Sequence, residues 1–365
     1  MESEMPQNLI GLSSDQIAGL PEMAGQPRFR ASQIVTWIYQ RGAVEFDSMA
    51  NLPKALRARL ALSRRLDRLP VLARQVSADH SARKVLFALD EGERIEAVLL
   101  RAPRRDTLCI STQAGCRFGC RFCATGAMGW RRNLSVHEVV SQVLVLREEL
   151  LGLGHQGFFN LVFMGMGEPL DNYDTVVAAI RVLHEDFGLA LGYRRVTVST
   201  VGLPDQIRRL AGEQLPVRLA WSLNATDNET RSSMMPVNRL HPIEAVLSAM
   251  AEYRRRTGSR TTLEYILIDG VNDSLGDARR LARMAGESDS KVNLIRLNAH
   301  GRTAFRPSPI ERVRAFYETM LPLGPAVTLR ESRGADIFAA CGQLSTAYET
   351  GGAIPGSMPG AGDTA

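Results

Sequence analysis

The chain has 365 residues, of which 45% are hydrophobic and 23% are charged, and its formal net charge is +5. This length and composition predict a soluble globular protein with one large domain and a smaller appendage. No apolar run reaches the roughly 18 residues of a membrane helix, and the first residues lack the basic and then apolar order of a secretory signal. We therefore expect a cytoplasmic protein rather than a membrane or secreted one.

The positive charge of the chain is almost entirely arginine, since Lys54, Lys84 and Lys291 are its three lysines. A planar guanidinium group binds phosphate with two parallel hydrogen bonds and stacks on nucleic-acid bases. The composition therefore permits an RNA partner. A genome rich in G and C favours arginine codons equally well, so the bias alone does not decide between the two explanations.

Residues 1–75 are expected to form a small helical domain that docks RNA. Apolar residues recur at helical spacing over Gln33–Tyr39, and Pro53 stands in the first turn of a second helix. Five arginines follow at short spacing: Arg57, Arg59, Arg64, Arg65 and Arg68. Such a run is typical of a solvated helix face, but it is also a candidate contact for an RNA backbone.

Residues 76–106 are expected to form a linker and a β-hairpin. Lys84–Leu89 and Arg94–Leu100 have the residue types of strands and flank a turn at Asp90–Gly92. Glu96 is an acid in an otherwise apolar strand. A carboxylate that faces water at a sheet edge is the simplest explanation from the residues alone.

Residues 107–347 repeat a pattern of strand, loop and helix, and residues 348–365 are expected to be a disordered, glycine- and proline-rich tail. The predicted strands are 108–112, 160–164, 195–200, 218–223, 263–268 and 292–297. The predicted helices include 136–150, 175–186, 243–256 and 275–285. Six such units predict an α/β fold with a parallel sheet, either open and doubly wound or a partial barrel. In both, the active site forms at the carboxyl ends of the strands.

The most informative segment is the loop Cys116-Arg-Phe-Gly-Cys120-Arg-Phe-Cys123. Five cysteines in the chain, three of them in one loop, favour a reducing compartment and a metal or redox role over structural disulfides. A structural zinc ion needs four protein ligands, so a zinc site would have to recruit Cys109 or Cys341. An iron–sulfur cube held by three cysteines keeps one iron free for a substrate.

Polar residues follow several of the predicted strands. In Met164–Pro169, glycine permits close approach of a ligand to the backbone, and Glu168 can accept hydrogen bonds from an ammonium group. The other candidate binding residues that share this position at a strand end are Ser199, Ser222, Leu223, Asn224 and Asn298. Their common position favours a single site.

The cysteine spacing resembles the radical S-adenosylmethionine (SAM) enzymes. The resemblance implies a partial (β/α)6 barrel and one [4Fe-4S] cluster on Cys116, Cys120 and Cys123, whose open iron binds SAM. It also implies that Gly167 and Glu168 hold the amino group of SAM. The remaining SAM contacts would come from Ser199, Ser222, Leu223, Asn224 and Asn298. Many relatives carry histidine where this chain has Asn224.

Two further segments narrow the resemblance. Leu108–Cys116 and Ala339–Leu344 are similar to the radical SAM RNA methyltransferases that act on C2 of adenosine, and the likeness runs over roughly residues 25–347. It implies that Cys341 takes a methyl group from one SAM, and that a second SAM supplies the radical that activates this methyl group. It further implies that Glu96 is the proton acceptor and that Cys109 resolves the crosslink through a transient disulfide with Cys341.

The same resemblance implies the partners. The substrates would be an adenosine at the peptidyl transferase centre of 23S rRNA and the adenosine 3′ of the anticodon in some tRNAs. A low-potential donor such as flavodoxin would supply electrons, a thiol reductant would regenerate the cysteines, and the protein would be a monomer. Two alternatives are a C8-adenosine rRNA methyltransferase of the antibiotic-resistance type and a zinc-stabilised RNA-binding protein without catalysis.

Overall fold

The computed structural model describes residues 6–103, 105–155 and 158–346. The tail expected at 348–365 lies outside these residues. The main sheet has ten strands, and the helices and a small N-terminal unit pack against it. No helix of the described part is both long and apolar enough to cross a membrane.

The N-terminal unit is mainly helical, as predicted. Its elements are β1 Gln7–Asn8, α1 Ser14–Ala18, α2 Phe29–Tyr39, α3 Lys54–Ser63 and β2 Arg64–Arg65. The two short strands pair in parallel, and α2 buries Ile34, Ile38 and Tyr39. The Gly11 amide donates to the Tyr39 hydroxyl at 2.8 Å, which ties the start of the chain to α2.

Three antiparallel strands follow this unit: β3 Val71–Val76, β4 Ala82–Ala88 and β5 Arg94–Leu100. The predicted hairpin is β4 with β5. The predicted domain boundary at residue 75 falls inside β3, so the helical part is shorter than expected. In β3 half-buried residues alternate with exposed ones, which is typical of an edge strand, but its apolar and polar residues do not alternate along the sequence.

The six predicted parallel strands are all present, and a seventh extends the sheet. They are β6 Asp106–Cys109, β9 Phe159–Phe163, β10 Val196–Thr200, β11 Arg218–Ser222, β12 Thr262–Leu267, β13 Lys291–Arg296 and the additional β14 Val327–Arg330. Neighbours along the chain are neighbours in the sheet, in the order β14-β13-β12-β11-β10-β9-β6-β5-β4-β3. This is the predicted partial (β/α)6 barrel, continued on one side by the antiparallel strands. Between β6 and β9, β7 Gln113–Gly115 and β8 Trp130–Asn133 form a separate pair.

Helices connect the parallel strands and cover the outer face of the sheet. They are α4 Val136–Gly152, α5 Tyr173–His184, α6 Pro204–Gly212, α7 Asn228–Met234, α8 Ile243–Thr257, α9 Leu275–Glu287 and α10 Ile310–Met320. Ser135 and Glu138 form a capping box that starts α4. The N-terminal unit contacts this helix, since Arg147 donates to the Tyr39 carbonyl oxygen at 3.2 Å.

Candidate active site

The three clustered cysteines lie in the loop between β7 and β8. The Cys116 amide donates to the Gly129 carbonyl oxygen at 2.8 Å, and the Cys123 amide donates to that of Cys120 at 3.0 Å. Gly115 has φ +76°, and a Cβ atom there would collide with the Gly129 carbonyl oxygen. Glycine is therefore required where the loop leaves β7.

All three cysteines line one cavity at the carboxyl ends of the parallel strands. The predicted site residues that share its wall are Cys116, Cys120, Cys123, Gly167, Glu168, Ser199, Ser222, Asn224 and Cys341. Its empty volume is about 970 Å³ including the open mouth. This is the size of a site for a small ligand or cofactor, for which roughly 300–1,000 Å³ is usual.

The cysteine thiols suit a soft metal centre. Burial raises the pKa of Cys116 to about 12 and also raises the pKa values of Cys120 and Cys123. Such thiols ionise readily only when a cation compensates their charge, as an iron–sulfur cluster does. In the described part of the chain, no set of three or more His, Cys, Asp or Glu side chains converges closely enough for a single metal ion. The three cysteines instead border a shared space that a multi-atom cluster fits.

Glu168 presents a buried carboxylate at the end of β9. Its oxygens accept hydrogen bonds from the Leu170 amide at 3.0 Å and the Val201 amide at 2.8 Å. Burial raises the pKa of Glu168 to about 7. Gly167 has φ +96°, and a Cβ atom there would lie 2.5 Å from the Gln113 Cβ atom. The glycine thus allows the tight turn that fixes Glu168 in the cavity wall.

Ser199, Ser222 and Asn224 extend the polar wall along β10 and β11. Asn224 adopts φ +60°, in the left-handed region that asparagine tolerates. Its Oδ1 accepts a hydrogen bond from the Ile266 amide at 3.0 Å, while its Nδ2 has a sulfur acceptor, Met235, at 3.5 Å. Sulfur is a weak acceptor, so this N–H group can still serve a ligand.

Leu223 and Asn298 differ from the other predicted binding residues. The Leu223 side chain is fully buried in the hydrophobic core and is not part of the cavity wall. Its carbonyl oxygen accepts a hydrogen bond from Arg231 Nε at 2.9 Å. Asn298 Nδ2 donates to the Cys341 carbonyl oxygen at 3.1 Å, so this side chain holds the C-terminal segment.

The C-terminal segment, defined here as residues 338–346, places Cys341 beside the cysteine loop. The Ala124 amide donates to the Gly342 carbonyl oxygen at 2.7 Å, and the Thr125 hydroxyl donates to that of Leu344 at 2.7 Å. These contacts join positions more than 200 residues apart in the chain. Cys341 is half-buried and borders the cavity of the three cysteines.

A second cavity, on the other side of Cys341, contains Cys109. Both cysteines line it, together with Arg330 at the end of β14. Burial and then the neighbouring Cys341 raise the pKa of Cys109 to about 12. Cys341 in turn raises the pKa of Arg330. Cys341 thus lies between the two cavities, while Cys109 faces the second.

Glu96 is buried rather than facing water, so the simplest explanation of this residue is wrong. Lys84 Nζ lies 3.0 Å from Glu96 Oε1. Glu96 Oε2 accepts hydrogen bonds from the amides of Ser345 at 3.0 Å and Thr346 at 3.4 Å. The carboxylate is therefore bound on one side by a strand neighbour and on the other by the C-terminal segment.

Sequence reasoning missed Glu264, a second acid in an apolar strand. Glu264 lies in β12 and lines the cavity of the three cysteines. Asn293 Nδ2 donates to its Oε1 at 2.9 Å, but its buried Oε2 has no hydrogen-bond partner among the described residues. Burial raises the pKa of Glu264. The sequence signal that singled out Glu96, an acidic residue in an otherwise apolar strand, was present at Glu264 as well.

The arginine run of the N-terminal unit is largely engaged within the protein. Arg64 pairs with Glu22 at 2.9 Å, and Arg68 pairs with Glu148. Arg57 donates to the Asp47 carbonyl oxygen at 2.5 Å, and Arg65 lies 3.6 Å from Asp67. These contacts give most of the run a structural role, and Arg59 remains exposed.

Comparison with known proteins identifies the family of this chain. The Radical SAM superfamily profile matches residues 110–282, and the ribosomal RNA large subunit methyltransferase N-terminal domain matches residues 7–65. A probable dual-specificity RNA methyltransferase RlmN from Symbiobacterium thermophilum is 44% identical over 342 residues, covering 93% of this chain and 91% of the relative. This chain belongs to the RlmN family.

Other RlmN relatives and one solved structure give the same result. The dual-specificity RNA methyltransferase RlmN of Halorhodospira halophila is 44% identical, with 93% of each chain covered. The crystal structure of a radical SAM methyltransferase from Sphaerobacter thermophilus is 43% identical and matches with a TM-score of 0.88, covering 93% of this chain and 99% of that one. The predicted radical SAM methyltransferase fold and enzyme class are therefore confirmed, and with them a [4Fe-4S] cluster and SAM as cofactors.

Proposed function

We propose that this RlmN-family chain methylates C2 of an adenosine at the peptidyl transferase centre of 23S rRNA and of the adenosine 3′ of the anticodon in some tRNAs. The observation that carries the proposal is the position of Cys341 between two cavities, one lined by the three clustered cysteines and the other by Cys109. The dual-specificity names of the relatives support the two RNA classes. C8 methylation, as in resistance enzymes, is the alternative.

Cys116, Cys120 and Cys123 would hold the [4Fe-4S] cluster. When bound, the cluster cleaves SAM reductively and supplies a carbon radical in place of the ordinary electrophilic methyl group. Glu168 would accept hydrogen bonds from the SAM ammonium group through its buried carboxylate. Ser199, Ser222 and the free N–H of Asn224 offer hydrogen-bonding groups for the rest of the molecule, and Leu223 could contribute through its backbone alone.

Cys341 would carry the methyl group. Its thiolate would attack the methyl carbon of one SAM, forming the new S–CH3 bond as the sulfonium S–CH3 bond breaks and S-adenosylhomocysteine leaves. The radical derived from a second SAM removes a hydrogen atom from this methyl group, so two SAM are used per turnover. The remaining CH2 carbon then bonds to C2, a carbon between two ring nitrogens that is too electron-poor to attack an electrophile.

Glu96 and Cys109 would complete the reaction. The adduct would lose one electron to the cluster held by Cys116, Cys120 and Cys123, which SAM cleavage leaves oxidised, and the Glu96 carboxylate would take the C2 proton. The Cys109 thiolate then attacks the sulfur of Cys341, and the S–CH2 bond breaks with its electron pair on carbon, which takes up a proton. The product is a C2 methyl group and a Cys109–Cys341 disulfide, which two equivalents of a thiol reduce.

The remaining partners are also part of the proposal. A low-potential protein such as flavodoxin would supply the electron, and the enzyme would act in the cytoplasm as a monomer. RNA would dock on an exposed patch formed by the N-terminal unit and the loop after α5. Here Arg41 lies over the Trp37 ring at 4.4 Å, and Phe29 of the N-terminal unit and Phe187 of the loop are more than half exposed. Aromatic and guanidinium planes stack on unpaired bases.

The test is anaerobic reconstitution with iron and sulfide, SAM, a reductant and RNA. We expect 2-methyladenosine in the wild type, no product from Cys341→Ala and a trapped protein–RNA crosslink in Cys109→Ala. Appearance of 8-methyladenosine would establish the alternative. A colourless protein that does not cleave SAM would overturn the proposed enzymatic function. The zinc-stabilised RNA-binding protein without catalysis would then be the remaining explanation.

A further inference from the structure

Lys84 is one of three lysines in a chain whose other 41 cationic side chains are arginines. It lies in β4, and its side chain is 7% exposed. Lysine is seldom buried to this extent unless it is paired. Its partner is Glu96 on the adjacent strand, whose side chain is 3% exposed.

The strand pairing explains how the two side chains meet. In the antiparallel register of β4 and β5, Leu86 lies opposite Glu96 and Lys84 lies opposite Val98. Lys84 and Glu96 are therefore diagonal neighbours on one face, within reach of a long side chain. Arg83 points to the other face, where it pairs with Glu149 of α4 at 3.4 Å. Lys84 is thus directed away from α4.

That face also bears the second cavity. Leu100, which shares the face of Glu96 on β5, lines this cavity with Cys109 and Cys341. Lys84 Nζ additionally lies 3.5 Å from the Phe338 carbonyl oxygen at the start of the C-terminal segment. The ammonium group therefore contacts both the proposed base and the segment that carries Cys341.

An isolated carboxyl group buried to this extent is stable in its neutral form, which cannot accept a proton. Three groups can stabilise its charge here: the Lys84 ammonium and the amides of Ser345 and Thr346. The amides belong to the C-terminal segment and contribute dipoles, whereas Lys84 contributes a full charge from a fixed strand.

We propose that Lys84 is a positioning residue that keeps Glu96 ionised, so that Glu96 can accept the C2 proton of the target adenosine. The inference rests on the proposed function, which assigns the base role to Glu96. In this step the C2–H bond breaks, its electron pair stays with the ring, and the proton moves to a Glu96 oxygen. Lys84 exchanges no electron and retains its proton.

Other titratable groups surround this face and limit the interpretation of a pH profile. They are Lys84 on β4, and, around the second cavity, Cys109 on β6, Arg330 at the end of β14, Glu331 and Arg333 just after it, and Cys341 in the C-terminal segment. The thiol of Cys109 has a pKa near 12 and stays neutral over most of the useful range. Substitutions at Lys84 itself are therefore needed to isolate its effect.

The experiment follows decay of the covalent protein–RNA adduct in single-turnover reactions of the reconstituted enzyme between pH 6.5 and pH 9. Lys84→Met removes the charge, Lys84→Arg retains it, and Lys291→Met makes the same change at an exposed lysine. We expect adduct decay at pH 7 to slow about tenfold or more in Lys84→Met and to recover at high pH, because the buried Glu96 carboxylate then lacks its opposite charge. Lys84→Arg and Lys291→Met should match the wild type.

Two readouts separate this inference from the proposed function. Lys84→Met should still methylate Cys341 and cleave SAM, which shows that the variant is folded and that its defect lies in adduct decay. Glu96→Gln tests the base itself: if its adduct decays at the wild-type rate, the assignment of Glu96 fails. If Glu96→Gln stalls while Lys84→Met decays normally at every pH, the role of Lys84 alone is overturned.

A measurement without RNA covers the case of a poorly folding variant. Infrared spectroscopy at pH 7 should show a protonated carboxyl band in Lys84→Met, or in Lys84→Gln if the methionine variant does not fold. Because burial raises the pKa of Glu168 to about 7 and also raises that of Glu264, the wild type has a carboxyl band of its own at this pH. The band of the Lys84 variants should be larger, and this excess should be absent from the double variant that also carries Glu96→Gln. Absence of the excess from the single variants would overturn the inference, as would an adduct that decays as slowly in Lys84→Arg as in Lys84→Met.

Discussion

The side-chain amide of Asn298 donates a hydrogen bond to the backbone carbonyl oxygen of Cys341 at 3.1 Å. Asn298 follows β13, and Cys341 lies 43 residues further along the chain, so this bond ties the proposed methyl carrier to the end of a barrel strand. Gln343 makes a second tie of this kind, donating to the Ala299 carbonyl oxygen at 2.9 Å. The position of Cys341 thus depends on side chains outside the cysteine loop.

Asn298→Ala should reduce methylation of Cys341 more than it reduces SAM binding. A lost hydrogen bond of this kind costs about 1 kcal/mol, which corresponds to roughly a fivefold lower rate of methyl transfer to the thiolate. Mass spectrometry of the protein after incubation with SAM measures the rate, and equilibrium dialysis measures the affinity. A loss of SAM affinity with no change in methylation rate would instead make Asn298 a SAM ligand.

Glu264→Gln should weaken SAM binding. The buried Oε2 of Glu264 has no hydrogen-bond partner among the described residues, and Glu264 lines the cavity wall. A donor group of the ligand can therefore give this oxygen a hydrogen bond. Glutamine retains the bond from Asn293 but presents an N–H group to the ligand, and loss of a hydrogen bond to a charged group costs about 1.5–3 kcal/mol. Isothermal titration measures the change, and Glu287→Gln at the end of α9 is the matched control. Unchanged affinity would exclude contact between Glu264 and SAM.

Gly167→Ala should abolish SAM-dependent activity. A Cβ atom at this position meets Gln113, and φ +96° adds strain that glycine avoids. Gly258→Ala is the control, because Gly258 also has a positive φ but a Cβ atom there meets nothing within 4 Å. Both variants should lose stability in thermal unfolding, but Gly258→Ala should retain activity. Equal losses of activity would attribute the effect to backbone strain alone.

Cys109 should resist alkylation at neutral pH. Burial raises the pKa of this thiol to about 12, so very little of it is ionised at pH 7, and only the thiolate reacts with iodoacetamide. Cys341 is half-buried and more accessible. Peptide mapping of the reconstituted protein should therefore show modification of Cys341 well before Cys109, with Cys109 reacting faster as the pH rises. Early modification of Cys109 at pH 7 would contradict its burial.

The double substitution Trp37→Ala, Arg41→Ala should weaken RNA binding without changing SAM cleavage. The stacking planes of the exposed patch are lost, which costs about 1–3 kcal/mol for each unstacked base. Arg64→Ala is the contrast, because Arg64 pairs with Glu22 and should lower the melting temperature while RNA affinity stays near the wild-type value. Filter binding at two salt concentrations measures the RNA affinity of both variants. If Arg64→Ala weakens RNA binding and the double variant does not, the docking role would belong to the arginine run of the N-terminal unit instead.

The sequence by itself determined the local features of this protein. The six barrel strands, the hairpin of β4 and β5 and the loop of three cysteines could be predicted, because apolar periodicity and close spacing act between residues near in the chain. The predicted boundary at residue 75 falls inside the edge strand β3, whose apolar and polar residues do not alternate along the sequence. The shared wall of Glu168, Ser199, Ser222 and Asn224 also followed, because parallel strands end at one edge.

Only the tertiary structure decided which distant residues meet. The burial of Glu96 depends on Lys84 from the adjacent strand and on the amides of Ser345 and Thr346, about 250 residues away. The internal pairing of Arg64 and the location of Leu223 in the core likewise depend on contacts that no local pattern encodes. Burial decides whether a carboxylate is solvated or must be paired, and burial is a property of the assembled fold.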